Sequence, residues 1–381
     1  MKHQSHLFSH LQSISPTFPM HKQPSPSSFR SIFFTALFGL LLLGACTNDT
    51  LTSRYGGLPS AFGKANKLTV IADSTWWYTG LGDSVDFTFG APFLILPSPE
   101  PLYDLNLFSW KMLAENPARK ELRSYLIISH RGIAGSPLDD FMRKDLGDSL
   151  LPDGVPYTVK VLRNRWALGQ FLVYIYGQDE AAVYEAIQKF GPSIIGKLRD
   201  HDLPILDNQT FAARENGTLI KKVKDFTGAS FRIPGEYVFA LESDSTMWLR
   251  KELKEMTLGL LFRKIPYTDQ SQFTKEGFRS MHDRMSAVVS SPQPEPTRMM
   301  IDDHYLPLFL TNMTVADQYA LEVRGLWTMH NDVMGGPFIS YLIQSPDKQS
   351  LILATGFIYG PGKKKREWVQ QLELILRSAR F

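Results

Sequence analysis

Three times along the chain an apolar run with strand character is followed by a tight polar turn and then by a segment whose apolar residues recur at helical spacing. The first copy is Gln170 to Tyr176, the turn Gly177-Gln178-Asp179, and a helix that places Val183, Ala186, Ile187, Phe190, Ile194 and Leu198 on one stripe. Gly191-Pro192 is expected to kink or interrupt that helix. The second copy is Thr257 to Ile265, then Pro266-Tyr267-Thr268-Asp269, with Asp269 and Gln272 spaced as a capping box for a helix reaching about Met285. The third is Leu351 to Tyr359, then Gly360-Pro361-Gly362, then a helix burying Trp368, Val369, Leu372, Ile375 and Leu376. Upstream, Lys67 to Ala72 reads as a first strand, and Asp73-Ser74-Thr75 offers N-caps for a short helix carrying Trp76 and Trp77. Leu105 to Trp110 and Ser124 to Ser129 are further extended segments, the second a continuous apolar run suited to a buried strand.

Such units predict an α+β fold, mixed sheets with amphipathic helices packed on one face, in two halves of similar size. The halves are expected at residues 67–205 and 236–381, joined by a polar, turn-rich linker over 206–235 that carries Lys221-Lys222-Val223-Lys224. Ser290 to Thr297 is a proline-rich loop too short to separate domains.

A different pattern lies ahead of all this. Ser31 to Leu43 is unbroken apolar sequence, too short for the ~20 residues of a membrane-spanning helix and about right for a signal peptide. Lys22 and Arg30 flank it, and Leu43-Gly44-Ala45-Cys46 resembles a bacterial lipobox, in which the cysteine is acylated and becomes the mature N-terminus. Cys46 is the chain's one cysteine, so an internal disulfide is excluded. The expected order is a signal peptide over 1–45, a lipid-anchored tether over 46–66, then the fold; Met20 would give a leading flank of ordinary length. Two or more acyl chains would hold the protein stably to a membrane.

Charge changes meaning once that segment is set aside. The whole chain has 41 basic and 38 acidic residues, and residues 1–45 contain Lys2, Lys22 and Arg30 with no acids, leaving 38 of each. The electrostatic case for nucleic acid binding goes with them.

Candidate chemistry is sparse. Of five histidines beyond residue 45 (His130, His201, His282, His304, His330), none has a partner at metal-ligand spacing, and no metal or cofactor is expected. No GxSxG elbow occurs, and the Gly356 to Gly362 spacing before Lys363 is one residue too long for a phosphate loop. The cations Lys363, Lys364, Lys365 and Arg366 open a helix, where they oppose its dipole; they read as a solvated turn or as a contact for anionic headgroups or an acidic partner. The densest local signal is Arg324-Gly325-Leu326-Trp327 followed by Asp332 and Gly335-Gly336-Pro337. It reads either as a structural turn, in which the glycines adopt backbone angles closed to other residues, beside a core tryptophan, or as an exposed loop in which Arg324, Trp327 and Asp332 meet a ligand.

The motifs GLW…DVMGGPFISY, GFIYGPGKKKREWVQQLELIL and IPGEYVF…WLRKE…PYTD, with TVIAD and LPSPEPLYDLNLF nearer the N-terminus, resemble domain of unknown function 4837, found in uncharacterised Bacteroidota lipoproteins. The resemblance implies a lipid-anchored envelope protein and transfers no catalytic residue. Two functions stand open: a non-enzymatic binding or envelope-assembly protein whose partner is an envelope protein or glycan, and an envelope hydrolase working through paired carboxylates. Thr47-Asn48-Asp49 lacks a dense acidic run, which suggests the periplasmic face of the outer membrane.

Overall fold

A computed structural model describes residues 57–381 apart from 134, 148 and 149. The expected signal segment, the expected acylation site at Cys46 and the first part of the expected tether lie outside the described residues.

The chain opens with β1 (Lys67–Ile71), whose burial is nearly complete. Asp73 then caps a short helical turn at Ser74–Trp76 by accepting from the Trp76 N–H, as its sequence suggested, and α1 (Gly82–Phe89) follows. Next come β2 (Asp104–Phe108), α2 (Trp110–Glu115), β3 (Ser124–His130), α3 (Pro137–Leu146), β4 (Tyr157–Arg163), β5 (Phe171–Gly177) and α4 (Glu180–Thr210). The five strands form one sheet in the order β2-β1-β3-β5-β4, parallel except for β4. Helices cover both faces, because alternate residues of each strand are apolar on both sides. Leu126, Ile128, Val173 and Ile175 pack towards α1 and α4, and Tyr125, Ile127, Leu172 and Tyr174 towards α2 and α3.

The second half comprises α5 (Gly217–Thr227), β6 (Val238–Glu242), β7 (Met247–Leu253), β8 (Met256–Pro266), α6 (Lys275–Ser286), β9 (Arg298–Asp302), β10 (Phe309–Val315), β11 (Gln318–His330), β12 (Gly335–Gln344), β13 (Ser350–Tyr359) and α7 (Arg366–Arg377). Its sheet is antiparallel, in the order β10-β11-β12-β13-β8-β7-β6, with β9 paired to the far end of β11. α5 and α7 cover one face through Val223, Val369, Leu372 and Leu376, and α6 covers the other through Phe278, Met281 and Met285. The α+β class thus holds, and the covering of both faces in each half replaces the single-faced packing that the strand-turn-helix units suggested.

Three local expectations change. Gly191-Pro192 does not interrupt α4, which runs continuously through both Pro192 and Pro204. The stretch 206–235 is no loose linker: it finishes α4, forms α5, and sends Leu219, Val223, Phe231 and Ile233 into the core of the second half. The end of the expected tether is pinned, since Ala61 N–H donates to Leu168 O, Phe62 N–H to Glu121 O, and Asn66 is buried.

Leu58–Phe381 forms one compact unit. Its two sheets are joined by α4 and α7 through polar contacts that span most of the sequence. Asn66 and Gln370 exchange side-chain amide hydrogen bonds of 2.8 and 2.9 Å. Arg366 donates to the Asp104 carboxylate at 2.9 Å and to Pro101 O, and the Glu100 carboxylate accepts from the Lys365 and Arg366 N–H groups that start α7.

Candidate functional site

A cleft of about 480 Å³ opens where α4 and α7 meet the edge of the second sheet. Its size lies in the range of small-molecule pockets. Most of its wall is apolar: Phe93 and Leu102 from the segment before β2, Ile195, Leu203 and Leu206 from α4, and Leu374 from α7. The rest is a charged network laid down by strand and helix periodicity. Glu322 and Arg324 are two residues apart on β11 and so share a face, with Thr311 of β10 and Tyr341 of β12 opposite Glu322. Glu373 and Arg377 are one turn apart on α7, and Arg199 comes from α4.

Arg324 bridges the two carboxylates, Nε to Glu322 Oε1 at 2.6 Å and Nη2 to Glu373 Oε2 at 2.8 Å. Tyr341 donates to Glu322 Oε2 at 2.6 Å. The other Glu373 oxygen accepts from both Arg199 Nη2 at 2.9 Å and Arg377 Nη1 at 3.2 Å. Burial pushes the Glu373 carboxyl up, but the fields of Arg324 and Arg199 outweigh it and hold the group below its ordinary range. Burial likewise works against the Arg324 charge, and Glu373 and Glu322 more than restore it. Tyr341 is raised by burial first and by the same two carboxylates second, so it stays a neutral donor.

Asp202 stands apart in the same wall. It is 2% exposed, accepts from the Asn66 N–H at 2.9 Å, and is pushed up to about 6 by burial, against the pull of that N–H, Arg123 and Arg366. Tyr103, buried beside it, is raised by burial and by the Asp202 charge.

The structure separates the residues singled out from the sequence. Arg324 faces the cleft. Trp327, three positions on, points to the opposite side of β11, is 2% exposed, and donates from Nε1 to Ile358 O at 3.2 Å. Asp332 lies in the turn beyond, where Ser291 and Gln293 hold its carboxyl below the usual range. The three therefore do not converge on one ligand, and the core-tryptophan reading describes Trp327. Gly335 and Gly336 begin β12 and neither has a positive φ, so the expected special backbone angles are absent. Gly336 instead answers a close approach, because a Cβ there would lie 2.1 Å from Ile358 O.

The basic cluster is likewise divided. Lys365 and Arg366 are 5% and 4% exposed and occupied by internal contacts, Lys363 pairs with Glu255 at 2.7 Å, and Lys364 is exposed with no ion pair among the described residues. They form no common patch for an anionic surface. Glu100, seated against the first N–H groups of α7, offsets the unfavourable cations at that helix start.

Sequence reasoning missed Arg199, Asp202, Glu322, Glu373 and Arg377. Two of them leave a signal: Asp202 sits between Leu198 and Leu206, and Glu373 four residues after Val369, each a charge on the buried stripe of its helix.

Comparison with known proteins divides the chain in two. Residues 216–378 match the model of domain of unknown function 4837, and residues 61–211 match a second one, domain of unknown function 8532. The two matches lie side by side, and both models describe domains of unknown function. The motifs near residues 70 and 100 fall in the second, which corrects their attribution to the first. No curated protein matches. Among solved structures, LpqN, involved in cell envelope biogenesis of Mycobacterium tuberculosis, is similar at a TM-score of 0.23 with 7% identity, over 40% of this chain and 82% of that one. The human StarD13 (DLC2) lipid transfer and protein localization domain is similar at 0.20 with 12% identity, over 42% and 94%. Such slight likeness bears on neither fold nor function.

Proposed function

We propose that this is a lipid-anchored cell-envelope protein, held through acylated Cys46 at the periplasmic face of the outer membrane, that binds a small ligand in the cleft between its two sheets. The anchor rests on the run from Ser31 to Cys46. The observation that carries binding is the cleft itself, a concave and mainly apolar space with charged groups converging on one part of its wall.

A hydrolase using paired carboxylates would have Glu322 and Glu373 as its pair. Arg324 spans them and Glu373 is held anionic, so Glu373 has no proton to give as a general acid in that pair. Fatty-acid labelling of cells should mark the protein and should fail on Cys46→Ser, which should also leave the membrane fraction. Small molecules co-extracted with the native protein should be lost when Leu206→Trp fills the cleft. An unlabelled Cys46 would remove the anchor, and a ligand retained equally by Leu206→Trp would remove the cleft.

A further inference from the structure

Building on the cleft-binding reading, we propose that the ligand is a single-chain amphiphile with an anionic head, a carboxylate or a phosphate, seated between Arg199 and Arg377. These two guanidinium groups reach the same atom, Glu373 Oε1, at 2.9 and 3.2 Å, which holds two like charges side by side at the rim of an open cavity. Each donates once to that oxygen, their side chains are 51% and 40% exposed, and among the described residues their remaining donors have no other partner, which leaves both forks able to take a second anion. The charge balance leaves room for one. Arg199, Arg324 and Arg377 face Glu322 and Glu373, while Asp202 lies in the field of Arg123 and of Arg366, the latter already paired with Asp104. Within the network itself three guanidinium groups thus stand against two carboxylates.

The rest of the ligand follows from the wall. On α4, Ile195 and Leu203 lie one turn either side of Arg199, and Leu206 extends the stripe, so an apolar chain leaving the head meets hydrocarbon in either direction along the helix. At about 480 Å³ the cleft has the size of a small-molecule pocket, in keeping with a head and one apolar chain. A free inorganic anion would leave this apolar surface unused, and an uncharged alcohol would leave the guanidinium pair unanswered.

Photoaffinity labelling of the full chain in its own membranes tests this, using diazirine-bearing dodecanoate, dodecyl phosphate and dodecanol. At least one anionic probe should label peptides containing Ile195 to Leu206 or Phe93 to Leu102 at least tenfold more than dodecanol, and the stronger arm identifies carboxylate or phosphate as the head. The Arg199→Gln/Arg377→Gln variant should lose that preference while still labelling weakly; if the pair does not fold, Arg199→Gln alone, at a half-exposed position, carries the test. Equal labelling of the cleft by dodecanol would overturn the anionic head and leave the cleft as a binding site. Labelling confined to other peptides would overturn both.

Discussion

Replacing Glu373 by Gln should be among the costliest single-atom changes the molecule can suffer. The side chain is 10% exposed and its principal partner Arg324 11%, so the pair is buried. The amide keeps the shape and one acceptor, but removes the charge that three guanidinium groups share, and offers an N–H₂ to whichever arginine it faces. Arg324 would retain Glu322 alone, with Arg199 and Arg377 repelling it across the amide. Breaking a buried pair by removing one partner costs about 3–5 kcal/mol. The contacts to Arg199 and Arg377, whose side chains are about half exposed, add less than about 1 kcal/mol each. At about 2 °C per kcal/mol for a chain of this size, the unfolding midpoint should drop by about 6–10 °C. Calorimetry of parent and variant at neutral pH measures it, with Arg377→Ala, expected within about 2 °C of the parent, as the exposed control. A shift of Glu373→Gln no larger than that of the control would refute the claim that this network is a buried one.

Three further outcomes are expected. Asp202 binds its proton more tightly in the folded chain, at about 6, than in the unfolded chain, so the stability it contributes is present below about pH 4 and lost as pH rises through 6. The loss is about 3 kcal/mol. Asp202→Asn should therefore gain on the parent between pH 4 and pH 7.5 in thermal unfolding, and a constant gap would contradict it. Glu100→Ala should cost about 1–2 kcal/mol by uncapping α7, read as a lower denaturant midpoint, although residue 100 is far from that helix in sequence. Gly336→Ala should cost about 1–3 kcal/mol through overlap with Ile358 O, whereas Gly335→Ala, at an exposed position, should cost less in the same assay.

Much of the framework could be read directly from residue pattern. The strands at Lys67, Ser124, Phe171, Met256 and Ser350 and the capping box of Asp269 with Gln272 rest on local periodicity and local hydrogen bonding, which sequence displays, although the box closes a 3₁₀ turn at Gln270–Phe273 and α6 itself is capped by Thr274. Two kinds of feature resisted. Pro192 fell inside a helix because packing of Ile187, Ile194 and Leu198 against the first sheet outweighs a missing backbone bond. The segment 206–235 looks polar when counted by composition, yet Leu219 and Val223 at i,i+4 are enough to seat a helix. The cleft was least legible, since its charges come from β11, α4 and α7 and meet only through tertiary folding. Arg324 drew notice for its neighbours Gly325 and Trp327, whereas its actual partners are Glu322, two positions back, and Glu373, 49 positions on.

The amide exchange between Asn66 and Gln370 ties together residues 304 positions apart. Closing so long a loop is entropically costly and cannot happen until α7 has been made. A product cut short before α7 could complete its first sheet, yet would have no Glu373 or Arg377 and no far wall to the cleft. Occupancy of that space would therefore report that α7 had been made and had docked against the first half.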